Sequence, residues 1–232
     1  MSQFNFVDIK GARYCRNIEP EECPVCHFSV KPEELEWTLA SIENDPNALL
    51  ESVFKCPRHE CGHLFIARYK RDDTPNMTDL GFPGLREFKY SESVPATAEI
   101  PFLPKEIIDI SPLFVEVYTQ ALAAESIGLD QLSGVGLRKA LEFLIKDYCI
   151  KMHPTKKIEI ISSFLNNCIK VYVDNPQVKI VAERAVWLGN DETHYERRWN
   201  NKDINNLKEL ILLTINWIHS CILTSKYEDE MK

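Results

Sequence analysis

Long apolar runs are missing from this chain of 232 residues, and so is any excess of positive charge. No stretch approaches the roughly 20 consecutive apolar residues that cross a bilayer. The opening residues, MSQFNFVDIKGARYC, are mixed polar and charged and lack the apolar centre of a secretion signal. The expectation is a cytoplasmic protein with no membrane among its partners. Glycine is scarce, at 8 residues. The one glycine-rich run, Gly134-Val135-Gly136-Leu137-Arg138-Lys139, has the spacing of neither nucleotide-binding loop and follows no strand. It reads as a helix start. Net charge is −8, and residues 1–110 carry most of it, with 12 Lys+Arg against 19 Asp+Glu. Non-specific capture of duplex DNA needs a concentrated cationic face, which this distribution opposes. With 44% hydrophobic and 27% charged residues the chain has the make-up of a folded protein, not a disordered one.

What is present begins with cysteine. In a reducing compartment, 8 cysteines are expected as free thiols or metal ligands. Cys23-Pro24-Val25-Cys26 is a C-x-x-C pair, and Cys56-Pro57-Arg58-His59-Glu60-Cys61-Gly62 supplies a second, wider pair. Two short-spaced pairs brought together by hairpins offer zinc its four soft ligands. Both first cysteines are followed by Pro, and Gly62 permits a tight turn. Val53-Phe54 and Leu64-Phe65-Ile66-Ala67 read as strands flanking the second pair. The expected ligands are Cys23, Cys26, Cys56 and Cys61, with His59 as a substitute for Cys61 and His27 and His63 as spares. Four protein ligands close the shell, so this Zn2+ is structural. Cys149, Cys168 and Cys221 fall on helix stripes and read as core residues.

The chain divides into three parts: a zinc-ribbon-like β domain over 1–71, a proline-rich connector over 72–110, and a five-helix bundle over 111–232. The fold class is therefore α+β. Pro75, Pro83, Pro95, Pro101 and Pro104 punctuate the connector. Ser111 with Pro112 signals a helix start, and Phe114, Tyr118, Ala121 and Leu122 form its apolar stripe. A second helix runs from about Val135 to Lys151 and buries Leu137, Leu141, Leu144 and Tyr148. A third spans about 157–171, with Ile158, Ile161, Phe164, Leu165 and Cys168 inward. A fourth starts near Pro176 and stops at Gly189. The fifth, capped by Asp203, turns Leu207, Leu210, Ile211, Thr214, Trp217, Ile218, Cys221 and Ile222 inward.

Between the last two helices, residues 184–199 concentrate Arg184, Trp187, Asn190, Asp191, Glu192, His194, Tyr195, Arg197, Arg198 and Trp199. His can exchange a proton near neutrality, and Arg can neutralise phosphate. Metal-independent phosphodiester chemistry is one reading: His194 as acid/base, Arg184 (or Arg197) as clamp, Tyr195 and Asn190 beside them. Arg197, Arg198 and Trp199 could instead grip single-stranded bases. The plainer alternative is a structural loop, with Asp191 as a cap and ion pairs such as Arg197 with Glu192 fixing it.

The segments YTQALAAESIGL, GLRKALEFLIKDY, RAVWLGNDETHYERRW and KDINNLKELILLT resemble the bacterial family called domain of unknown function 4145. That family is similar to the HEPN superfamily of nucleotide-binding helical domains. The resemblance implies a HEPN-like bundle that forms a homodimer, and a place in phage defence or RNA processing. Some superfamily members are metal-independent endoribonucleases, which carry an Arg, four to six intervening residues and then a His. Here His194 and Tyr195 match the second part, but positions 187–189 are Trp187, Leu188 and Gly189. Arg184 lies one turn earlier. This departure favours a non-catalytic interaction module that contacts a defence protein or RNA. The alternative is an endoribonuclease using His194 with Arg184 across a dimer interface.

Overall fold

The computed structural model describes residues 5–9, 12–16, 18–39, 48–71 and 86–232. The architecture is mixed α+β, and the chain separates into two compact units, Met1–Glu99 and Ile100–Lys232.

In the first unit, β1 (Asn5–Ile9) and β2 (Ala12–Arg16) form a hairpin. The strands β3 (Glu33–Leu39), β4 (Leu49–Lys55), β5 (Leu64–Arg71) and β6 (Arg86–Val94) follow as an antiparallel set. β2 joins β6 in parallel, giving the order β1-β2-β6-β5-β4-β3. Successive strand residues face opposite sides. Leu50, Ser52 and Phe54 of β4 therefore bury one face, opposite Tyr69, Ala67 and Phe65 of β5. The Phe54 and Phe65 rings stack at 5.7 Å. Arg16, only 2% exposed, places its guanidinium on Glu34 of β3 at 2.6 and 2.8 Å and on Ser52 Oγ at 2.9 Å. Four strand steps of about 4.8 Å lie between β2 and β3, well beyond the reach of an arginine, so the sheet must roll over its core.

The proline-rich connector expected over 72–110 contains a strand, β6. No proline falls between Pro83 and Pro95, so Arg86–Val94 can pair on both sides, and Pro95 ends the strand. The other prolines of that segment that are described, Pro101 and Pro104, lie in the second unit ahead of its first helix.

That unit contains α1 (Lys105–Ile110), α2 (Pro112–Ser126), α3 (Asp130–Met152), α4 (Lys157–Ser162), α5 (Leu165–Tyr172), α6 (Pro176–Asp191) and α7 (Ile204–Glu230). Seven helices replace the expected five, because α1 precedes Ser111 and the third expected helix splits at Ser163 and Phe164. Phe114, Tyr118, Leu137, Leu141, Leu144 and Tyr148 are buried as their periodicity predicts. Ser111 does not cap α2; its hydroxyl donates to Asp147 on α3 instead. Gly134 and Gly136 lie inside α3 rather than before it, and α6 runs past Gly189 to Asp191. Asp203 caps α7 as expected, accepting from the backbone of Asn205 and Asn206.

The expected inward stripes fail at four positions. Ile158, Ile161 and Phe164 face outward, as does Trp217 on α7. Of the described helices, α7 alone is long and apolar enough to cross a membrane, with a mean hydropathy of 1.2 over its best window, 33% of it buried. Polar residues interleave through it, which is why no unbroken apolar run appears.

Candidate metal centre and the groove before the last helix

The four expected cysteines come together. Cys23, Cys26, Cys56 and Cys61 place their sulfurs within 4.8 Å of one another. Cys23 and Cys61 are 3.8 Å apart, and Cys26 and Cys56 are 3.9 Å apart. A zinc–sulfur bond of about 2.3 Å in a regular tetrahedron sets sulfurs about 3.8 Å apart, so the spacing fits zinc.

The two loops are built alike. The Cys23 N–H donates to Phe28 O, and the Cys56 N–H donates to His63 O. Each second cysteine precedes a left-handed residue, His27 at φ 55° and Gly62 at φ 59°. Gly62 adopts this conformation at no steric cost, whereas His27 must be held. His27 is held by Glu22 at 3.3 Å and by Thr97 Oγ1 at 3.1 Å, while Thr97 donates to Pro24 O. His27 is thereby a bracing residue. His59 and His63 are exposed and lie outside the sulfur cluster.

Without metal, burial pushes the Cys23 thiol up to about 12 and raises Cys56 as well. Hydrogen bonding from the Phe28 backbone lowers Cys26 to about 6. Zinc takes thiolate, so binding must expel protons from Cys23 and Cys56 at neutral pH, and protons compete with metal as pH falls. Zinc affinity is expected to rise at least about a hundredfold per pH unit around neutrality, a factor of ten for each of these two protons released. Competition with a chelating dye across pH measures this; a flat profile would remove the thiols from the coordination shell.

The second candidate lies where α6 gives way to α7. Trp187, Asn190, Asp191, His194, Tyr195, Arg197, Arg198 and Trp199 line one open groove. Asp191, 6% exposed, organises it: its Oδ2 accepts the backbone N–H of Arg198 at 3.0 Å and of Trp199 at 2.7 Å. Glu192 pairs with Arg197 at 2.7 Å, and Arg197 also donates to Lys202 O. The loop is folded back so that Trp199 lies parallel to Trp187, 5° between planes and 6.0 Å between centroids. The rings of His194 and Tyr195 are exposed at its tip, and the His194 N–H donates to Asn190 O just past the end of α6.

Arg184, expected as the phosphate clamp, is not in the groove. Its guanidinium donates to Ile180 O and lies 5.8 Å over Trp187. One residue escaped the sequence reading. Arg138 on α3 donates through Nε to Asn190 Oδ1 at 3.1 Å, and its stem lies against Gly189, where a Cβ would come within 2.6 Å of Arg138 Cδ. Gly189 is therefore a packing glycine, not a helix stop. Arg138 and Asn190 are 52 residues apart, and no local pattern announces a contact at that separation.

Comparison with protein families, with curated proteins and with solved structures finds no match for this chain.

Proposed function

We propose that this protein is a HEPN-like, non-catalytic interaction module with a structural four-cysteine zinc site, and that the groove before α7 captures single-stranded RNA in a nucleic-acid-processing or defence system. The observation that carries this reading is the stacked Trp187–Trp199 pair beside Arg198 in a groove held rigid by Asp191. Aromatic faces stack on any base, and a cation beside them meets the backbone phosphate. Arg197 is already committed to Glu192, so Arg198 carries most of the phosphate contact.

Against catalysis stands the position of Arg184, which donates to Ile180 O, lies over Trp187 and is not among the residues that line the groove. In favour of the endoribonuclease alternative stands the exposure of His194 in the same groove.

Fluorescence anisotropy with a short single-stranded RNA tests the proposal. Trp199→Ala is expected to weaken binding by about 5- to 150-fold, the loss of one stacked base. Arg198→Gln should lower the slope of log affinity against log salt by about 0.7, one released counterion. His194→Ala should leave affinity within about twofold, because its ring is exposed and makes no side-chain hydrogen bond among the described residues. Metal-independent cleavage of the RNA that vanishes in His194→Ala would establish the ribonuclease instead.

A further inference from the structure

The helical unit carries a surface that its own sequence pattern predicts to be interior. α4 has one buried residue, Ile160. At about 100° per residue, Ile158 lies nearly opposite Ile160, and Lys157 and Ile161 share its side of the helix. The chain then extends through Ser163 (φ −78°, ψ 149°) and Phe164 (φ −64°, ψ 145°), and α5 restarts in a new phase with Leu165, Cys168 and Ile169 inward. Ile158 is left 85% exposed, Ile161 55% and Phe164 88%. Single exposed apolar side chains are ordinary, but three large ones within seven residues are not.

The charge around them is also at odds with the rest of the chain. Residues 151–171 contain Lys151, Lys156, Lys157 and Lys170 against Glu159 alone, a local +3 within a total of −8. Lys156 pairs with Glu159 at 2.8 Å. Lys157 and Lys170 form no ion pair among the described residues.

We propose that the α4–α5 corner docks reversibly on a membrane surface rich in anionic lipid. Ile158, Ile161 and Phe164 enter the boundary between headgroups and acyl chains, and Lys157 and Lys170 meet lipid phosphates. Side chains exposed by more than four-fifths stand proud of the surface, and a fluid acyl layer receives such knobs without a complementary shape. The local positive charge selects an anionic surface. The expectation of no membrane partner came from unbroken hydropathy, which does not register a patch assembled at a helix break.

The test uses the zinc-loaded full chain and two kinds of vesicle, phosphatidylcholine alone and phosphatidylcholine with about 30% phosphatidylserine. Sedimentation is expected with the anionic vesicles only, with release at about 0.5 M salt, where screening shortens to a few ångströms. Lys157→Gln should lower the partition constant about fivefold, and Phe164→Ser more than tenfold, with unchanged melting temperatures. Phe164→Trp should shift its emission to the blue on the same vesicles. Equal binding to neutral vesicles, no binding at millimolar lipid, or an unaffected Phe164→Ser variant would overturn the proposal. So would a lipid-free dimer that Phe164→Ser converts to monomer, since a second copy would then be the occupant.

Discussion

Replacing Cys56 by Ser, or stripping the metal with a chelator, is expected to unfold the sheet unit while the helical unit keeps its own melting transition. Cys23 and Cys56 belong to the buried cluster formed by Leu50, Phe54, Phe65, Ala67, Tyr69 and Phe88. Their sulfurs face Cys61 and Cys26, so without metal this end of the sheet unit holds four crowded, unbonded sulfurs in place of a bonded tetrahedron. Structural zinc contributes about 10–16 kcal/mol in small metal-dependent domains, as much as or more than the roughly 5–15 kcal/mol by which a whole domain is stable. Loss of one ligand therefore exceeds what the remaining core can absorb. Calorimetry should show two transitions in the loaded protein and only the helical one after chelation. Metal analysis should return about one zinc per chain, as one four-ligand site requires. A metal-free chain with both transitions intact would refute the assignment.

Asp191→Ala is the second large effect. The carboxylate is buried, and its Oδ2 holds two backbone N–H groups that have no other partner among the described residues. Removing it leaves both donors unpaired, at a cost of about 2–4 kcal/mol, since hydrogen bonds to a charged acceptor are the strong kind. For a unit of this size that is a fall of about 10 °C in its melting temperature. Asp191→Asn keeps the shape and one acceptor oxygen but loses the charge, and should recover about half. Because the same bonds set Trp199 against Trp187, RNA capture should fall with Asp191→Ala even at temperatures where the unit is folded. A melting temperature within about 2 °C of wild type would show that the loop is held by other contacts.

His194 stands in contrast to Asp191. A sequence cannot tell which of two polar neighbours is structural. Asp191 completes the last turn of α6 on its inner side and closes on the returning backbone; His194, three residues later, has left the helix and faces solvent.

Much was legible before any coordinates. The cysteine pairs follow from spacing, because a short loop confines two sulfurs to one neighbourhood whatever the remainder of the chain does. The stripes of α2 and α3 follow from helical period, because 3.6 residues per turn decide which side chains share a face. Asp203 as a helix cap needs only its two following N–H groups.

Other features depended on what each segment meets in three dimensions. Arg86–Val94 becomes a strand because β5 and β2 offer it edges on both sides. Ile158, Ile161 and Phe164 turn outward because the helix breaks at Ser163, which shifts the phase of every residue before it relative to those after. Arg138 reaches Asn190 because Gly189 lets α3 approach α6 closely. Local sequence determined the cysteine pairs, the cap at Asp203 and most of the stripes of this protein, since each is settled within a few residues of chain. Which side of a break faces solvent, and which distant arginine supports the groove, only the packing of whole elements could decide.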